Sequence, residues 1–344
     1  MSPHETPRLS SGRPTIRDVA AAVGVDPSLV SRVVSNDPKA SASASTRQRI
    51  LDAVEELGYQ PSAVARGLRM ARTWTVGLLI PDLTNPLYSE VVKGVEERAT
   101  ELGYGVVFGT HEEGSPEDTF SRLLMQGRVD GLLVASGVLE DKFLRDLSKR
   151  SNDRMVMVNR RVDGLKPSVI VDDEAGAVLA TEHLLALGHS RVAGIFGPSK
   201  IDTSRRRRKG FDAAMESAGA YALAVEQKYW GAKAGLRAAR ELFENSSDVT
   251  AIFASTFLMG VGVLRAAREH GISVPDQVSV VALHDVDLAD YLAPPLTTVK
   301  LPFSKMGRIA VESLVALVEG NVVSDVIVED KPVMVVREST TNPS

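Results

Sequence analysis

The stretch Thr15–Lys39, TIRDVAAAVGVDPSLVSRVVSNDPK, decides the reading of the fold, together with its continuation to Tyr59. Thr15 is placed to N-cap a helix with Asp18 reaching back in a capping-box pattern, and Ile16, Val19, Ala20 and Val23 supply an apolar stripe. A first helix is therefore predicted over about 16–22. Gly24 allows the left-handed backbone that ends it, Val25 plugs the corner, and Asp26 with Pro27 forms the N-cap and first-turn proline of a second helix reaching about Val34. Leu29, Val30 and Val33 form its inward face, while Pro27, Ser28, Ser31 and Arg32 point away. Thr46 is read as the cap of a third helix, TRQRILDAVEELG, whose Ile50, Val54 and Leu57 close a small core before Gly58 stops it. Such a unit presents a polar helix face to the DNA major groove.

The charge distribution agrees. Residues 1–73 carry ten Arg or Lys against seven Asp or Glu, whereas the whole chain is at −4. The remaining 271 residues are thus at −7, and positive charge gathers where phosphates would be met.

At 344 residues the chain is too long for one ordinary core, so a small basic head and a large two-lobed body are expected. The absence of cysteine removes disulfides and thiolate metal sites. No apolar run approaches membrane-spanning length, and the start, MSPHETPRLSSGRP, lacks a signal peptide's apolar core. It reads as a disordered leader over 1–13, and the protein as soluble and cytoplasmic with no membrane partner. After a head over 14–60, a linker over 61–73 is without acidic residues, and Ser62 is placed to cap a short helix from Ala63 to about Arg69 that forms when bound.

From Trp74 onward apolar strands alternate with amphipathic helices. Strands are predicted at 75–80, 105–109, 130–135, 155–158, 168–171, 191–196, 249–253, 277–282 and 332–336. Helices are predicted at 87–102, 116–126, 174–187, 206–218, 232–244, 257–270 and 304–319. This rhythm gives an α/β core of two doubly wound parallel-sheet subdomains, with ligands held at the C-terminal ends of the strands. The loops there are PDLTNPLY, GTHEEGS, NRRVDG, VDDEAG, GPSKIDTSRRRR, ASTF and LHDVD.

Enzyme chemistry is hard to find. The sequence has no phosphate loop, no dinucleotide fingerprint after the first strand and no histidine pair with metal spacing; no cofactor is implied. His183 and His189 are read as packing and turn residues.

Nine strings in order, including TIRDVA, VSRVV, ARGLR, VGLLIPDLTNPLY, RVDGLLV, ATEHLLALGHSRVAGIFGP, RRRRKGFDAAM and LAPPLTTVKLP, resemble the lactose-repressor (LacI) family over residues 14–340. The resemblance implies a helix-turn-helix head, a hinge helix and a periplasmic-binding-protein-like core at 74–340 that dimerises and binds an effector. It places the N-subdomain at about 74–171 and 300–330, and the C-subdomain at about 172–299 and 331–340. The implied protein is a repressor that binds a near-palindromic operator as a homodimer.

By the same resemblance Pro27 and Ser28 hold the specificity positions of the recognition helix, and Arg32 reads a base, its guanidinium suited to guanine. Thr15, Ser31 and Arg47 hold phosphates, Ala63 lies in the minor groove, and Leu68 wedges the central step. The loop SNDPKASASAST is two residues longer than the family norm, and Ser35 replaces a usual Asn.

In the core, Arg207 stands where the family grips its effector, with its neighbours Arg205, Arg206 and Arg208 read as solvated helix charges, Trp230 and Phe303 at aromatic stacking positions, and Asn85 and Tyr88 contributing from the N-subdomain. Two departures stand out: Thr256-Phe257 replaces an Asn-Asp pair, and Leu283-His284-Asp285 replaces Phe-Asp-Asp. Losing a carboxylate at His284 leaves Arg207 uncompensated and biases the pocket toward an anion, so a sugar acid or other small carboxylate is expected. The alternatives are a neutral sugar, with Asp285 or Asp82 as acceptor, and a solute-binding protein, which the helical head argues against.

Overall fold

The computed structural model describes residues 14–35, 37–59, 72–110, 127–135, 139–245 and 248–343. The chain divides into two compact units, Met1–Thr73 and Trp74–Ser344. The expected hinge helix with Ala63 and Leu68, and the helix expected at 116–126, lie outside the described residues.

The first unit contains α1 (Ile16–Val23), α2 (Pro27–Val34) and α3 (Ala44–Glu56). The backbone N and Oγ1 of Thr15 both donate to Asp18 Oδ2 at 2.7 Å, and Gly24 takes φ 72° to end α1. Asp26 Oδ1 accepts from Ser28 N at 2.8 Å and caps α2. The cap of α3 differs from the expectation. Ser43, not Thr46, fills it: Ser43 Oγ accepts from Thr46 N at 3.1 Å, because the helix already starts at Ala44 and Thr46 is the third residue inside. Val19, Val30 and Ile50 are completely buried between the helices, and Arg49 Nη2 ties α3 to the end of α1 through Val23 O at 2.7 Å.

The second unit runs through strands β1 (Thr75–Ile80), β2 (Gly105–Thr110), β3 (Gly131–Val134), β4 (Met155–Val158), β5 (Ser168–Ile170) and β6 (Arg191–Phe196). It continues with β7 (Tyr221–Glu226), β8 (Ala251–Ala254), β9 (Ser279–Leu283), β10 (Thr297–Lys300), β11 (Val326–Ile327) and β12 (Val333–Val335). Its helices are α4 (Leu87–Glu101), α5 (Asp141–Arg150), α6 (Asp173–Ala186), α7 (Asp202–Ser217), α8 (Ala232–Asn245), α9 (Phe257–Glu269) and α10 (Phe303–Val318). One sheet has the order β11-β5-β4-β3-β1-β2 and the other β12-β10-β9-β8-β6-β7. The expected nine strands omitted β7, β10 and β11, and the expected helices omitted α5.

Continuous apolar runs such as MVMV in β4 are covered on both faces, as parallel sheets require. One pairing departs from the parallel expectation: β12 runs antiparallel to β10. It is reached from β11 in the other sheet, with no crossover helix to reverse its direction. In the first lobe α10 lies almost backbone-to-backbone on α4, since a Cβ added at Gly94 would fall 1.9 Å from Ser304 O.

The chain passes between the lobes three times, after β5, after β10 and between β11 and β12. The loops after the C-terminal ends of the parallel strands of the two lobes meet, joined by contacts such as His284 against Phe303 and Arg161 N to Asp202.

Candidate DNA-reading face and effector cleft

On α2, Pro27 and Ser28 are exposed and Ser31 and Arg32 half-buried, while Val30 and Val33 face the core. The Arg32 side chain lies back along its own helix, with Nη2 donating to Ser28 Oγ at 3.1 Å and Nε to Ser28 O at 3.4 Å. Reading a base requires the guanidinium to leave Ser28. Thr15 spends its hydroxyl hydrogen on Asp18, whose carboxyl is held below its ordinary range by the Thr15 backbone and hydroxyl bonds. Arg47 is half-buried in the first turn of α3.

In the second unit every expected effector residue follows the C-terminal end of a strand. Asn85 and Tyr88 come after β1, Arg207 after β6, Trp230 after β7, Thr256 after β8, His284 after β9 and Phe303 after β10. Arg207, Trp230, His284 and Phe303 are brought together. The Arg207 guanidinium carbon stands 5.5 Å from the Trp230 ring centroid, and His284 meets Phe303 edge-on with centroids 5.2 Å apart. Trp230 is seated against Gly197, where a Cβ would fall 2.6 Å from the indole. Tyr88 joins electrostatically: burial pushes its hydroxyl pKa up, Arg207 pulls it back, and Asp82 adds to the rise.

Two residues are turned to local work. Thr256 caps α9 by accepting from Met259 N at 3.2 Å, leaving its hydroxyl hydrogen, and Asn85 Oδ1 accepts from Leu87 N at 3.1 Å. Phe257, in place of the carboxylate the family motif carries, is buried in the second lobe's core.

The charge expectation is corrected. Arg207 is not uncompensated: its Nε donates to Asp173 Oδ1 at 2.7 Å and its Nη1 to Ser255 O at 3.0 Å, with Asp173 fully buried. Arg206, expected to be a solvated helix charge, has a side chain only 12% exposed and pairs with Asp173 at 2.7 Å and Asp202 at 3.1 Å. Arg208, paired with Asp212 on the exposed helix face, fits that expectation. The two inward guanidiniums are therefore balanced by two carboxylates. His284 adds no positive charge either, because burial and then Arg207 hold its pKa well below the ordinary histidine value. Asp285 is committed elsewhere, accepting from Thr298 Oγ1 at 2.6 Å and pairing with Arg337 at 2.8 Å. Asp82 is exposed and accepts from Thr84.

Asn159, Asp173 and Asp202 are not singled out by the sequence, although they lie in the loops NRRVDG, VDDEAG and GPSKIDTSRRRR that follow strand ends. Asn159 follows β4, takes φ 55°, and keeps Oδ1 buried without a partner among the described residues. His284 does the same with Nε2 at φ 76°. Buried polar atoms without protein partners are costly, and these two lie at strand ends beside the expected effector residues.

Residues 15–62 match the model for bacterial regulatory proteins of the lacI family, and residues 181–340 that for a periplasmic binding protein-like domain. The chain is 34% identical over 333 residues to the HTH-type transcriptional repressor PurR of Photobacterium profundum, covering 94% of this chain and 98% of that one. This chain belongs to the LacI family. It is also 34% identical over 309 residues to the ribose operon repressor of Escherichia coli K12, covering 88% and 92% of the two chains. The lac repressor dimer bound to operator and the anti-inducer ONPF superposes with a TM-score of 0.83 at 28% identity, covering 96% of this chain and 100% of that one.

Membership makes this LacI-family chain a DNA-binding transcriptional regulator that responds to small molecules, and not an enzyme. Among the described residues no helix is long and apolar enough to cross a membrane.

Proposed function

We propose that this chain is a repressor that binds a near-palindromic operator as a dimer in the cytoplasm and is switched by a small, neutral, polyhydroxylated molecule held in the core cleft. In this reading α2 enters the major groove with Pro27, Ser28 and Arg32 at base edges, and Thr15, Ser31 and Arg47 on phosphates. Ala63 and Leu68 act in the minor groove. The effector lies among Tyr88, Arg207, Trp230, His284 and Phe303, with Asn85 and Thr256 at its margin.

The observation that carries the choice of ligand is the pairing of Arg207 with Asp173 at 2.7 Å. It removes the free positive charge on which a carboxylate effector depended, and a neutral His284 supplies none. What remains is two aromatic faces and several hydrogen-bonding groups, which suit the apolar faces and hydroxyls of a sugar. The ribose operon repressor among its relatives supports the same class.

Calorimetric titration with neutral sugars, ribose among them, and the matching sugar acids tests it. Binding confined to the neutral set supports the reading. Binding confined to the acids overturns the ligand class and restores the anionic alternative, in which the remaining Arg207 Nη2 grips a carboxylate.

A further inference from the structure

Asp202 and Arg206 lie one turn apart at the start of α7, which packs on the second lobe. Both reach across to the first. Asp202 Oδ2 accepts from the backbone N of Arg161, in the loop after β4, at 3.1 Å. Arg206 Nη1 donates at 2.9 Å to the carbonyl of Val171, a residue of the first lobe's core. The pair is closed on itself by Arg206 Nε to Asp202 Oδ2 at 3.1 Å. Arg160, nearly buried beside Arg161, is also attracted by the Asp202 carboxylate, after its main partner Asp141.

We propose that Asp202, locked by Arg206, is an interlobe clasp that holds the two lobes of the core in the closed arrangement before any effector arrives. The Val171 bond lies beside a crossover and acts near the pivot. The Arg161 bond lies out along the cleft, so opening must break it and draw Asp202 away from Arg160. Opening does not strand a lone buried charge, because Arg206 travels with Asp202 on the same helix. The clasp is therefore reversible, with the strength of one charge-assisted hydrogen bond, about tenfold in the closed-to-open ratio. Effector then acts on an equilibrium already biased toward closure, and the clasp sets how much differential affinity it must supply.

The sequence has no cysteine, so Asp163→Cys and Lys200→Cys give two clean label sites on exposed residues, one on each lobe. Electron–electron distance measurements on the ligand-free, full-length chain then report closure directly, independently of what the effector is. The clasp predicts one dominant short distance, a roughly tenfold shift toward longer ones in Asp202→Ala, and a smaller shift in Asp202→Asn, which keeps an acceptor but loses the charge. Circular dichroism checks folding, and if Asp202→Ala does not fold, Asp202→Asn decides. Identical distance distributions in wild type and the folded variants, or a ligand-free wild type already dominated by the long distance, would overturn the proposal.

Discussion

Asn159 and His284 are counterparts in the two lobes. Each is the first residue after the third strand of its sheet, β4 or β9, and each is left-handed. Each donates its backbone N–H to the neighbouring strand, Asn159 to Val169 O at 2.8 Å and His284 to Val299 O at 3.0 Å. Both also keep a buried side-chain atom without a partner among the described residues. Left-handed backbone costs a residue such as histidine roughly 1–2 kcal/mol, whereas asparagine tolerates it more readily, so the strain at these two strand ends is concentrated at His284.

The first prediction follows. Asn159→Gly and His284→Asn both accommodate positive φ, so thermal stability should be unchanged or slightly raised, while affinity for the sugar found by calorimetry falls about tenfold in each. Unaltered affinity in both variants would remove these residues from the site.

Acidification should destabilise the core. Burial depresses the pKa of His183, His189 and His284 in the folded chain, so as pH falls below about 6.5 the unfolded state takes up protons that the folded state refuses. Each such histidine subtracts up to about 1.4 kcal/mol of stability per pH unit over the window between its folded and unfolded pKa. Urea unfolding at pH 7.5, 6.5 and 5.5 should show this loss, and His284→Asn should flatten the slope by one histidine's share. An unchanged slope would place His284 outside the buried, neutral set.

Asp173→Ala leaves two inward guanidiniums short of a carboxylate and should cost about 3–5 kcal/mol in chemical unfolding. Asp212→Ala, which breaks the exposed pair with Arg208 on the same helix, should cost less than about 1 kcal/mol. Equal losses would mean that the Asp173 cluster contributes no more than a surface pair.

Arg32→Ala should weaken operator binding by about 1–3 kcal/mol and relax preference at one base pair, with ligand binding untouched. Anisotropy titrations on operators varied at each position measure both effects. Uniform weakening across all sequences would assign Arg32 to phosphate instead.

The elements legible in the sequence were those whose signal is local. TVGLLI and RVAGIF are apolar after their first residue and MVMV is apolar throughout, and β1, β4 and β6 have the predicted limits. β10, TTVK, was hidden because its buried Thr297 and Thr298 are satisfied by distant partners, Thr340, Arg337 and Asp285. β7 lies at a sheet edge with Tyr221 exposed, so it shows no buried face. The amphipathic α5, DKFLRDLSKR, hides Leu144 and Leu147 among charges. At the site, the positions at strand ends were readable, but their charge was not. Arg207 finds Asp173 34 residues away, and only the packing of α7 on α6 makes that pair.

The central claim is that ligand in the cleft changes grip on the operator. Operator DNA selected from a random pool by the full-length chain, then titrated by fluorescence anisotropy with and without a saturating neutral sugar shown by calorimetry to bind, measures it directly. The account predicts a near-palindromic selected site and an affinity change within the roughly 5–150-fold range typical of such coupling. A selected site without two-fold symmetry, or an affinity unmoved while the sugar is bound, would contradict it.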